Sequence, residues 1–110
     1  MTTKSVTLRD TRDGLDRRRL WATLSTDGTL TVQGQDLGGG VEQVWGSGCM
    51  EYEWAETVQS PDIARLAAAL GSADVLAALA KRYSDDPAFI LKSFLDERGI
   101  PYKFWSRVGD

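Results

Sequence analysis

Cys49 is the only thiol of the chain, in the glycine-flanked stretch Trp45-Gly46-Ser47-Gly48-Cys49-Met50, where a nucleophile would be easy to approach. A catalytic thiol needs a base or a cationic neighbour to form thiolate. The chain contains no histidine, so only a lysine or arginine folded nearby could supply that help. A small buried hydrophobe is the simpler reading of a free cysteine. The missing histidine also removes Ser-His-Asp and Cys-His catalysis and every zinc site built on imidazole. Gly38-Gly39-Gly40 lacks the Lys-Ser/Thr pair of a phosphate-binding P-loop and the spacing of a dinucleotide fingerprint. Ser47 has glycines on either side, whereas a nucleophile elbow needs them two residues away. These residues imply no catalytic constellation and no cofactor.

Charged and aromatic residues carry more. Glu42, Glu51, Glu53 and Glu56 form the densest acidic region, with no Lys or Arg between Glu42 and Glu56. On a strand Glu51 and Glu53 point the same way, about 7 Å apart by strand rise. Such a pair could hold a hard cation or share acid–base work. A solvated sheet face is the simpler account, and a surface for a basic partner comes next. Arg17-Arg18-Arg19 with Arg9 and Arg12 would make a basic hairpin end able to touch phosphate, but Asp10, Asp13 and Asp16 are interleaved with it. Four tryptophans in 110 residues is a high content. Trp with neighbouring Arg is typical of interface hot spots. The candidate partner-binding residues are therefore Trp21, Glu42, Glu51, Glu53, Trp105 and Arg107, with no metal-ligand set among them.

The elements that must position these residues follow from hydrophobic period. The 110 residues are 42% hydrophobic and 26% charged with net charge −3, which fits one globular domain. A single cysteine rules out an internal disulfide. Residues 1–59 alternate with period two and hold eight of the eleven glycines; residues 60–110 hold all three prolines and show helical spacing. Strands are expected at Ser5–Arg9, Leu20–Ser25, Thr29–Gln33 and Met50–Gln59, with a short extra one over 41–45. Asp10–Arg19 and Gly34–Gly40 read as connections. A three-residue loop Thr26-Asp27-Gly28 pairs Leu24 with Leu30 and Ala22 with Val32 on one face, and needs Gly28 in the left-handed region. The expected core row is Val6, Leu8, Leu20, Ala22, Leu24, Leu30 and Val32, leaving Trp21, Thr23, Thr31, Glu51 and Glu53 on the opposite face.

Three helices are expected next. The first is capped by Ser60-Pro61 and ended by Gly71. The second starts at Ser72 or Ala73. The third is capped by Asp86-Pro87 and ended by Gly99-Ile100-Pro101. The tail Tyr102–Arg107 alternates and would add a last strand, placing Trp105 opposite Tyr102 and Phe104. The expectation is thus α+β: an antiparallel sheet of four or five strands with three C-terminal helices on one face. The N-terminus has no apolar signal region, and Ile63–Ala80 is too interrupted to span a membrane. With Cys49 free, this points to the cytoplasm.

The pattern Trp21-Ala22-Thr23-Leu24…Asp27-Gly28…Gly34-Gln35-Asp36-Leu37-Gly38, then Tyr52-Glu53-Trp54, then Gly99-Ile100-Pro101-Tyr102…Phe104-Trp105-Ser106, resembles a group of small bacterial proteins of unknown function. The resemblance implies a bacterial, stand-alone protein and no activity. The leading expectation is a non-enzymatic protein-binding module of the immunity or inhibitor kind, its partner a protein and a homodimer one form of it. A carboxylate- or metal-dependent enzyme using Glu51, Glu53 and Asp36 is one alternative. Nucleic-acid binding through Arg17–Arg19 is the other, disfavoured by the acidic balance.

Overall fold

A computed structural model describes residues 3–13, 16–38 and 51–109. Among them, five strands form one antiparallel sheet in chain order: β1 (Lys4–Asp13), β2 (Asp16–Leu24), β3 (Leu30–Leu37), β4 (Glu51–Val58) and β5 (Lys103–Gly109). Helices α1 (Ser60–Leu70), α2 (Val75–Asp85) and α3 (Leu91–Arg98) intervene between β4 and β5. Their apolar sides meet one sheet face, where Leu30, Val32 and Val58 lie fully buried with Leu66, Leu79, Leu91 and Leu95. The fold is α+β, as the change of period at residue 60 predicts, and the tail is its fifth strand. The sequence-expected core row all joins this cluster, with Val6, Leu20 and Leu24 at its margin.

The β2–β3 turn follows the side-chain argument. Leu24 pairs with Leu30 and Ala22 with Val32. Gly28 N–H donates to Ser25 O at 3.0 Å and Ser25 N–H to Thr29 O at 2.9 Å, with Gly28 at φ 87°. Both helix ends predicted at glycine also hold. Gly71 and Gly99 take φ 76° and 64°, and Ile100 N–H donates to Leu95 O at 3.0 Å while its side chain enters the core.

Several boundaries differ, each for a physical reason. Asp10–Arg19 is not a connection: β1 and β2 continue as a ladder to Asp13↔Asp16. These outer residues have nothing apolar to cover, so charges replace the hydrophobic alternation. Gly34–Leu37 likewise belongs to β3. Gly34 lies directly opposite Trp54, and a Cβ there would overlap the indole ring; the glycine makes room for a cross-strand tryptophan, not for a turn. Leu8 is a bulged residue between Thr7 and Arg9; it lies in the core, as alternation from Val6 expects, and the register shift brings Arg9 opposite Leu20 on the helix side.

The helix starts also move. Ser60 is helical, with Gln59 at the cap position. Helix α2 starts at Val75, where the Asp74 side chain accepts from Ala77 N–H at 3.1 Å. Asp86-Pro87 forms a turn, closed by Ala88 N–H donating to the Asp86 carboxylate at 2.9 Å, and α3 begins only at Leu91. In place of a local cap, the Tyr83 hydroxyl of α2 accepts from buried Leu91 N–H at 3.0 Å. No single helix among the described residues is long and apolar enough to cross a membrane; Ile63–Ala80 is divided between α1 and α2, which are bent by 46°. The extra strand expected over 41–45, Cys49 and Met50 lie outside the described residues.

Candidate functional site

Strand pairing assembles the face turned away from the helices into cross-strand rows. Thr7, Trp21, Gln33, Ala55 and Trp105 align across all five strands; Arg19, Gln35, Glu53 and Arg107 form the next row, and Arg17, Leu37 and Glu51 the one beyond. Alternation then sends all of these side chains to one side. Five sequence-selected residues, Trp21, Glu51, Glu53, Trp105 and Arg107, thus share one face, whereas Glu42 lies outside the described residues.

The two tryptophans differ in surroundings. Trp105 is 52% exposed on the edge strand β5. Trp21 is half-buried, with the Arg19 guanidinium 5.2 Å from its ring centre, an arrangement that holds cation and ring together. In the two rows beside theirs lies a polar cluster. Arg107 Nη2 is 3.5 Å from Glu51 Oε1 and 3.3 Å from Glu53 Oε2, and Gln35 Nε2 donates to both carboxylates at 3.3 and 3.4 Å. Hydrogen bonding between the two carboxyls holds Glu51 below the usual glutamate range and pushes Glu53 above it. They act as a proton-sharing pair at the surface, set beside a guanidinium and an amide.

The other charged motifs separate. Arg17 and Arg18 alternate to opposite faces. Arg17 makes a two-pronged bond to Asp10, with Nε–Oδ1 3.1 Å and Nη2–Oδ2 2.9 Å, and this holds the Asp10 carboxyl low. Arg18 is 3.9 Å from Asp36 on the helix side. Asp36 therefore does not join Glu51 and Glu53, and the three carboxylates line no common pocket.

Glu56 also departs from its neighbours in the acidic region. It shares the helix-side row with Tyr52, Trp54 and Val58, is 5% exposed, and its Oε2 has no hydrogen-bond partner. Burial pushes its carboxyl up to about 7 against a weaker opposing pull from Lys92. Its position was legible from period alone, two residues from Val58. Arg9, grouped by sequence with the basic hairpin end, instead turns to the helices: after the bulge it donates to the Asp86 and Pro87 carbonyls at 3.1 and 2.8 Å and lies 4.9 Å over the Tyr83 ring. Among the described residues no group of three acidic or sulfur ligands could hold a metal. No family model, curated protein or solved structure matches the chain.

Proposed function

We propose that this chain is a small non-enzymatic protein-binding module, of the immunity or inhibitor kind, that engages its partner through the open face of the sheet. One observation carries the reading: two tryptophans and a Glu51–Glu53–Arg107 cluster, spread over 87 residues of sequence, align on a face that none of the described helices packs against. Aromatic and arginine anchors beside a polar rim are the composition of energetically dominant interface residues. The carboxylate pair favours a basic partner surface, and the single free thiol suits a cytoplasmic setting.

The test compares what immobilised wild-type chain, Trp105→Ala, Glu53→Lys and the helix-surface control Lys81→Ala retain from native lysate, quantified by mass spectrometry. The expected result is a protein retained by wild type and Lys81→Ala and depleted at least tenfold on the other two. Identical retention by all four, or recovery of the chain alone with neither partner nor second copy, overturns the proposal. A second reading, a homodimer, is favoured by one specific observation: Phe104, Trp105 and Val108, three of the four exposed large hydrophobics among the described residues, all sit on β5, an edge strand of the described sheet.

A further inference from the structure

On the helix side, beyond the part of the sheet that the helices cover, lies a cleft of about 420 Å³, within the size range of small-molecule sites. Trp54, Phe89 and Ile90 are among its apolar walls, and Glu56 and Asp36 are its carboxylates. Arg9, Arg18 and Arg19 also line it, so its preference depends on which charges are already engaged.

Two of the three arginines are engaged, Arg19 lying 5.2 Å from the Trp21 ring centre. The Arg9 guanidinium is bonded to two backbone carbonyls and stacked on Tyr83. Arg18 has a 79% exposed side chain and reaches only 3.9 Å from Asp36, so most of it remains in water. The carboxylates are short of partners. Glu56 Oε2 is buried with none, and burial raises Asp36 more than Arg18 lowers it. A buried acceptor left unpaired carries a desolvation cost, which a ligand bringing a donor removes. Ile90 is 57% exposed at the same site, an apolar surface that a ligand body would cover.

We propose that this cleft is a binding site for a small organic amine, its ammonium paired with Glu56 and its apolar body against Trp54, Phe89 and Ile90. The site lies on the opposite side of the sheet from the proposed partner surface and does not depend on it. The titratable and charged groups around Glu56 are Lys92 of α3 and Tyr83 of α2 and, lining the same cleft, Arg9 of β1, Arg18 and Arg19 of β2 and Asp36 of β3. Because Glu56 loses its proton around pH 7, amine binding strengthens as pH rises from 6 to 8.

The experiment titrates 2-phenylethylamine into the isotopically labelled full chain at pH 8 and follows amide and indole resonances. 3-Phenylpropionate and 2-phenylethanol serve as the anion and the neutral molecule of matching shape. Saturable shifts at the Trp54 indole are expected with the amine alone, with at least tenfold weaker binding in Glu56→Gln. Ile90→Lys, a change at an exposed position that leaves the core intact, is expected to abolish the shifts. No saturable shift in wild type, equal binding by Glu56→Gln, undiminished binding by Ile90→Lys, or preference for the anion would each overturn the proposal.

Discussion

Glu56 sits where alternation along β4 calls for an apolar residue, between Trp54 and Val58, and its ionisation is linked to stability. In the unfolded chain its carboxyl titrates near the ordinary 4.5; folded, it titrates at about 7. Below 4.5 both states are protonated. Between 4.5 and 7 the unfolded state loses the proton first, so stability falls as pH rises through that window and is level above it. An upshift of that size corresponds to roughly 3 kcal/mol. Glu56→Gln, neutral and of the same shape, is expected to unfold with wild type at pH 4.5 and, at pH 8, at a temperature higher by about 10 °C. Thermal melts across pH 4–8 read this directly, and parallel curves would show that Glu56 is ionised without penalty. Gly34 presents the complementary case, a missing side chain whose space is filled. Gly34→Ala is expected to cost about 2 kcal/mol by forcing Trp54 off its seat, and markedly less in a Trp54→Ala background, because the two residues share one contact. Denaturant titration of the four-member cycle measures the difference.

At the scale of elements, local chemistry foretold some boundaries and missed others. Turns and stops that depend on a backbone conformation, at Gly28, Gly71 and Gly99, were legible because left-handed φ nearly requires glycine. The start of α3 was not, because its cap comes from another helix. Asp86-Pro87 has the residue types of a helix start, yet its carboxylate closes a turn, and the buried Leu91 N–H is satisfied eight positions away by Tyr83. No local window contains that bond. The same phenol lies under Arg9 and meets Phe89 edge-on at 4.9 Å and 79°, so α2, α3 and β1 converge on one ring. Tyr83→Phe keeps the ring and removes the acceptor. It is expected to destabilise by about 1–2 kcal/mol, the usual cost of an unpaired buried N–H, and to speed hydrogen exchange at Leu91 while leaving Leu79 protected. Unchanged exchange at Leu91 would mean that the hydroxyl does not cap α3. The outer ends of β1 and β2 were missed for the opposite reason: their ladder carries charged residues on both sides, so alternation does not mark it as strand, and Asp13-Gly14, a turn signal in the sequence, reads there as part of a longer connection.

For the molecule as a whole, period-two alternation was enough to sort residues between the two faces, and Trp21 and Trp105 fall where it puts them. It could not show which strands would be edges, since that depends on the order of pairing. The two edges are unlike. β1 carries Arg9, Asp10 and Arg12 and a bulge at Leu8, features that discourage further pairing. β5 pairs with β4 without a register break and exposes Phe104, Trp105 and Val108. If two copies join through β5 about a two-fold axis at Ser106, Phe104 meets the second copy's Val108 and Trp105 meets its Arg107, each contact made twice. An axis at Trp105 would instead set Lys103 against Arg107, placing like charges opposite. The favoured register also extends the open face into one surface carrying both copies of Trp21 and Trp105. Light scattering after gel filtration, from 10 to about 200 μM as a practical range for weak association, is expected to approach twice the 12.1 kDa chain mass. Val108→Lys changes an exposed position and sets a charge against Phe104 at both ends of the pairing, so it is expected to return the chain to monomer mass with its melting temperature unchanged. A wild-type chain that stays at monomer mass throughout would rule out self-pairing at β5 and leave the edge, with Trp105, to a different protein.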